Sequence, residues 1–180
     1  MIRDVAAKRY AEAALLLAKE SGDEPAWSEG LRALAYLFGD SRAQGVFGGT
    51  RVPMTGKAQL VDTALAGVHP LVLNLARLLL RRGRTGLGPQ ISEAYEELLD
   101  EANGIFHANV TTAVPLSEAD AKAVERRLAE MTGGQVIVKT RVDEGLLGGL
   151  VVRIGDRLID GSTKSRLLAL KSALGGGAAS

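Results

Sequence analysis

The sequence predicts an α+β chain, a helical amino-terminal half followed by a small α/β domain, and three observations carry that prediction. Up to Asn103, apolar side chains recur at every third or fourth position, the spacing of one helix face. From Gly104 the period drops to two, the alternation of a half-buried strand. Aromatic residues are scarce, at 4% of the chain, and alanine and leucine fill the apolar share instead, which favours helices. The boundary therefore falls at Gly104, giving a helical domain over 1–104 and an α/β domain over 105–180.

Ile2 to Glu20 reads as a helix with two apolar stripes. Ile2, Ala6, Tyr10, Ala13 and Leu17 form one, and Ala7, Ala11, Ala14, Leu15 and Ala18 form the other. One stripe can face a core, which leaves the second for a bundle neighbour or a partner. Asp23 is placed to cap a second helix, with Pro25 in its first turn, Trp27, Leu31, Leu34 and Phe38 on one face, and Gly39 at its end. A short helical piece follows over 42–47, then a helix from Pro53 or Thr55 to Ala66. His69-Pro70 opens the next, Leu71 to Leu80, apolar except for a stripe of Asn74 and Arg77 continued by Arg81. The last runs from Gln90 to Asn103, with Ile91, Tyr95, Leu98 and Ala102 on one side and a solvated acidic face opposite.

Beyond Gly104, Ala108, Val110, Thr112 and Val114 alternate with His107, Asn109, Thr111 and Ala113 in a first strand. Ser117 caps a helix whose inner face is Ala121, Val124, Leu128 and Met131, closed by Gly133 and Gly134. The second strand, Gln135 to Val142, turns Val136, Val138 and Val142 one way and Ile137, Lys139 and Arg141 the other. Leu150, Val152 and Ile154 share one side of a third strand. Gly155-Asp156 then suits a type II′ turn, because glycine accepts positive φ without steric cost. A fourth strand passes through Leu158 and Ile159, and Ser162 is placed to cap a helix beginning at Thr163.

Several chemistries are disfavoured. A net charge of +1 speaks against bulk nucleic-acid binding, and the absence of cysteine removes disulfides and thiolate metal sites. The amino-terminal stretch carries Asp4 and Glu12 and no long apolar core, unlike a secretory signal. The most apolar run, Leu71 to Leu80, falls well short of the roughly twenty residues that span a bilayer, so any membrane association is expected through partners. Thr55-Gly56-Lys57 invites a phosphate-loop reading that fails, since the pattern's first glycine falls on Arg51 and Ala58 replaces the metal-binding hydroxyl. His69 and His107 stand far apart without carboxylates at metal-ligand spacing, and Asp156 and Asp160 sit where turns tolerate aspartate. No nucleophile elbow or dinucleotide glycine pattern occurs. The expectation is a binding or structural protein with no catalytic residue, cofactor or metal. Arg77, Arg81, Arg82 and Arg84 read as cations neutralising a helix C-terminus. The rival reading makes them the core of a basic RNA-binding module, with Lys139 and Arg141.

A longer pattern points further. The order Gly148, Gly149, a strand, Ile154, Gly155, Asp156, Ile159, Asp160, Gly161, Ser162, then Arg166, Leu167 and Leu170 resembles the carboxyl-terminal signature of the ATP synthase delta subunit family, which includes the mitochondrial oligomycin-sensitivity-conferring protein. Ala7, Arg9, Tyr10, Ala11, Ala14 and Leu15, and later Val110, Ala113, Pro115 and Leu116, extend the likeness. The resemblance implies an amino-terminal six-helix bundle seated on the catalytic head and gripping the amino-terminal segment of an alpha subunit. It also implies a carboxyl-terminal domain that holds the end of the b-subunit peripheral stalk. The chain would be a non-catalytic stator subunit of a proton-translocating F-type ATP synthase, peripheral on the cytoplasmic face of the inner membrane. In the family the alpha-subunit helix lies between the first and fifth helices, which here indicates Tyr10, Ala13, Ala14 and Leu17 with Leu71, Asn74, Leu75 and Leu78. For the b subunit the carboxyl-terminal helix offers Lys164, Arg166, Leu167, Leu170 and Lys171.

Overall fold

A computed structural model describes residues 5–163. The architecture is α+β, and the chain divides into two compact units, the division falling between Leu99 and Asp100. The expected helix beyond Thr163, with Lys164, Arg166, Leu167, Leu170 and Lys171, lies outside the described residues.

In unit 1, α1 (Val5–Ser21) and α2 (Glu24–Gly39) are joined by Gly22-Asp23 and pack on each other. Asp23 occupies the N-cap position of α2, but its side chain makes no capping hydrogen bond. Its φ of −117° and ψ of 31° lie outside the extended geometry that aims a capping oxygen at the first turn. The capping expected there is found instead at Asp40. Its side chain accepts from the backbone N–H groups of Arg42 at 2.8 Å and Ala43 at 3.0 Å, opening α3 (Ser41–Gly48). Those backbone bonds hold its carboxyl below the usual aspartate range.

Trp27, Leu31, Leu34 and Phe38 of α2 are all 0–1% exposed, and every other helix of the unit contributes to the core they anchor. α4 (Met54–Ala64) gives Val61, α5 (Pro70–Arg81) gives Val72, Ala76, Leu79 and Leu80, and α6 (Gly88–Ala102) gives Ile91 and Tyr95. A 3-10 turn (Thr85–Leu87) delivers the chain to Gly88, where a Cβ would stand 2.9 Å from Phe38 Cβ. Only glycine lets α6 start that close to α2. On α6, Ala102 is exposed although it shares the apolar spacing.

Unit 2 is built on β1 (Ile105–Thr112), α7 (Glu118–Thr132), β2 (Gln135–Val142), β3 (Leu150–Ile154) and β4 (Arg157–Asp160). The sheet order is β2-β1-β3-β4. β1 and β2 pair in parallel across the α7 crossover, and β3 runs antiparallel to both β1 and β4. The Ser117 hydroxyl accepts from Asp120 N–H at 3.2 Å, and Gly133 closes α7 in the left-handed region at φ 72°. Ile154 pairs with Arg157 around Gly155-Asp156, and Gly155 alone of that pair takes positive φ, at 54°, as a type II′ turn requires.

The core of unit 2 is Ala108, Val110, Val136 and Val152 against Leu128. Three apolar positions depart from the expected inner faces. Val114 is 67% exposed because β1 ends at Thr112, whose hydroxyl donates to the Val114 carbonyl at 2.7 Å. Val142 is 44% exposed at the very end of the edge strand β2. Met131 is 56% exposed in the last turn of α7, and Ala129 packs on the core in its place.

Candidate partner-binding surfaces

Residues that looked capable of chemistry are taken up by the fold. The Lys57 ammonium is buried and donates to the carbonyls of Phe47 at 2.8 Å and Gly49 at 2.7 Å, so it closes the end of α3. The phosphate-loop reading thus fails in three dimensions as well. His69 accepts from Leu71 N–H at 3.3 Å to cap α5, and its ring lies 5.1 Å from that of Trp27. His107 is half-buried and bonded to Asp100 at 2.7 Å. Tyr95 donates to the Glu24 carbonyl at 3.2 Å; burial, with the nearby carboxylates of Glu24 and Glu96, pushes its hydroxyl up to about 12.

The basic cluster divides in two. Arg77 lies 2.7 Å from Asp62 on α4, and the pair holds the Asp62 carboxyl down and the guanidinium up. Arg81, Arg82 and Arg84 are exposed.

What remains open is apolar. On α1 the alanine stripe, Ala7, Ala11, Ala14 and Ala18, is 0–3% exposed and belongs to the core. Alanines leave room for α2 to approach closely, which is why the smaller stripe won the inside. Tyr10, Ala13 and Leu17, spaced three and four apart, form the flank beside it. Tyr10 is half-buried, Ala13 exposed and Leu17 41% exposed. Ala14 is therefore a correction: at 3% exposed, it has no surface to offer a partner.

α5 shows the same division. Val72, Ala76 and Leu79 face the core, and Arg77 reaches α4. Leu71, Leu75 and Leu78, spaced i, i+4 and i+7, are turned well away from Arg77. Leu71 is 41% exposed, Leu75 and Leu78 half-buried, and Asn74 exposed beside them. Both α1 and α5 pack on α2. Trp27 and Gly30 of α2 meet His69 and Val72 of α5 in the same order, so α2 and α5 run in the same direction.

One feature was only half visible in the sequence. The face of the sheet away from α7 carries Ile137, Lys139 and Arg141, read correctly from alternation in β2, together with Arg153 and Leu158. Those last two join them through non-local pairing, a signal absent from the local pattern.

Comparison with known proteins converges. The model of the family described as ATP synthase delta (OSCP) subunit matches residues 6–174. ATP synthase subunit delta of Dehalococcoides mccartyi is 38% identical over 171 residues, covering 95% of this chain and 94% of the relative. The subunit of the same name from Citrifermentans bemidjiense is 33% identical over 177 residues, covering 97% and 98%. Among solved structures, a chain of the Toxoplasma gondii mitochondrial ATP synthase hexamer shares the fold, with a TM-score of 0.69 over 95% of this chain and 98% of that one, at 18% identity. By its sequence along nearly its whole length, this chain belongs to the ATP synthase delta (OSCP) subunit family.

Proposed function

We propose that this chain joins the catalytic head of an F-type ATP synthase to its peripheral stalk, unit 1 gripping the amino-terminal helix of an alpha subunit and unit 2 holding the end of the b subunits. By family it is a structural subunit of the stator and not an enzyme. Unit 1 serves as the six-helix bundle of the family, and the complex lies on the cytoplasmic face of the membrane. No described helix is long and apolar enough to cross a membrane.

The observation that carries the head-side contact is the unspent apolar flank on α1 and α5. Tyr10, Ala13 and Leu17 on one helix, and Leu71, Leu75 and Leu78 on the other, keep surface that the core does not use. An amphipathic helix laid along such a groove buries apolar positions at i, i+3, i+4 and i+7. Asn74 would meet its polar edge. The RNA-binding alternative gains no support, because Arg77 is engaged with Asp62 and the remaining arginines belong to no nucleic-acid motif.

The test is titration of the full chain with a peptide copying the amino-terminal segment of the same organism's alpha subunit. Leu17→Asp and Leu71→Asp each put a charge on an exposed flank position and should weaken binding by about tenfold or more without loss of helical signal. Unchanged affinity in both folded variants would remove this groove from the proposal.

A further inference from the structure

Unit 2 has a second sheet face that its own described core does not use. Ala108, Val110, Val136 and Val152 fill the face beneath α7. On the opposite face, pairing fixes two rows across all four strands. Lys139, Asn109, Arg153 and Leu158 form one, and Arg141, Thr111, Val151 and Asp160 form the next. Ile137 extends the patch next to His107. Residues paired directly across strands point to the same side, so these are neighbours on one surface.

Its composition is that of an interface. Ile137 is 41% exposed, Leu158 is 66% exposed, and Val151 lies half-buried in the second row. Lys139, Arg141 and Arg153 are exposed, and none makes an ion pair with a described residue. Against these three cations the two rows hold one carboxylate, Asp160, which accepts from the Ser162 N–H at 2.9 Å. His107 is already bonded to Asp100. Four strands about 4.8 Å apart make a platform about 14 Å wide, which fits a helix about 10–12 Å across.

We propose that this face is a docking surface for an acidic amphipathic helix of another polypeptide. The helix would set its apolar side on Ile137, Val151 and Leu158 and its carboxylates against Lys139, Arg141 and Arg153. Charge complementarity selects this occupant: a basic or neutral helix would leave three cations desolvated without partners. The inference deepens the stalk-side half of the proposed role, and rests on it only for the source of the helix.

The experiment uses the full-length chain and a designed helical peptide with leucines at i, i+3, i+4 and i+7 flanked by glutamates, beside a twin with lysines for the glutamates. Methyl NMR should show the acidic peptide shifting Ile137, Val151 and Leu158 and the lysine twin shifting none. The double variant Lys139→Glu/Arg153→Glu should lose about tenfold or more in affinity, and higher salt should weaken the wild type but not the variant. Equal binding of both peptides, shifts confined to other residues, or an unaffected double variant would overturn the proposal. So would shielding of the Ile137 and Leu158 methyls from a soluble paramagnet before any peptide is added, because the chain's own segment after Thr163 would then be the occupant. A b-subunit peptide that fails to bind while the designed peptide succeeds would remove the stalk as source and leave the face standing.

Discussion

The two units reach stability by different means. Unit 1 buries Trp27, Tyr95, Phe38 and a ring of leucines, and its α2 touches helices on several sides. Unit 2 rests on one sheet face and one described helix, with Leu128 the only leucine or isoleucine among its described buried residues. A helix shows a partner only the flank that the core leaves over, whereas a single-layer sheet shows a whole face. A stator linker can use both. In the proposed role the helical unit would offer the apolar flanks of α1 and α5, and the sheet unit its charged second face.

This contrast can be broken most forcefully in the cores. Leu31→Ala should cost about 2–5 kcal/mol, and Leu128→Ala a similar amount within a smaller reserve. Amide exchange read residue by residue should show Leu128→Ala loosening β1 to β3 while α2 stays protected, and Leu31→Ala doing the reverse. Uniform loosening in both variants would mean that the two cores act as one.

A smaller effect is expected at Gly88. Gly88→Ala adds a Cβ that would stand 2.9 Å from Phe38 Cβ and 3.0 Å from Leu34 Cδ2. The overpacking should cost about 1–3 kcal/mol in a denaturant melt. A neutral result would show that α6 can shift away from α2.

Tyr95→Phe sharpens the picture by pH. It removes the hydrogen bond to Glu24, which costs about 0.5–1.5 kcal/mol at neutral pH. In the folded wild type the tyrosine ionises only near about 12, so the unfolded chain ionises first. Stability is fully present below the ordinary tyrosine pKa of 10.0 and is lost as pH rises toward about 12. The variant should show a flatter alkaline limb, measured by melting temperature against pH. The smallest effect lies at the acid end, where the Asp40 and Asp62 carboxyls are held low in the fold. Their contribution is present above the ordinary aspartate value of 3.8 and fades as pH falls through the lower folded value. Asp40→Asn keeps a capping side chain but removes that titration, so its acid limb should be shallower.

Much of this fold was legible because helix and strand periods are local. The α2 face, the β1 alternation and the Gly155 turn follow from spacing alone. Which stripe of α1 faces inward did not follow, since two stripes of similar apolarity differ only in how closely a neighbour can approach. That placed Ala14 in the core although the spacing allowed it in the groove. Asp23 has the right residue type and position for a cap, but a backbone conformation set by the tight α1–α2 link denies it the bond. Arg153 and Leu158 became part of one surface with Lys139 only through the β2-β1-β3-β4 order, which no local pattern encodes.

The most direct measurement is calorimetry of the full chain with the alpha-subunit amino-terminal peptide, run beside Leu17→Asp, Leu71→Asp and the sheet-face variant Lys139→Glu/Arg153→Glu. The expected result is tight stoichiometric binding to the wild type and to the sheet-face variant, with marked weakening in the two flank variants. A well-folded wild type that takes up no peptide, or flank variants that bind as well as the wild type, would contradict the assignment of the α1 and α5 flanks to the catalytic head.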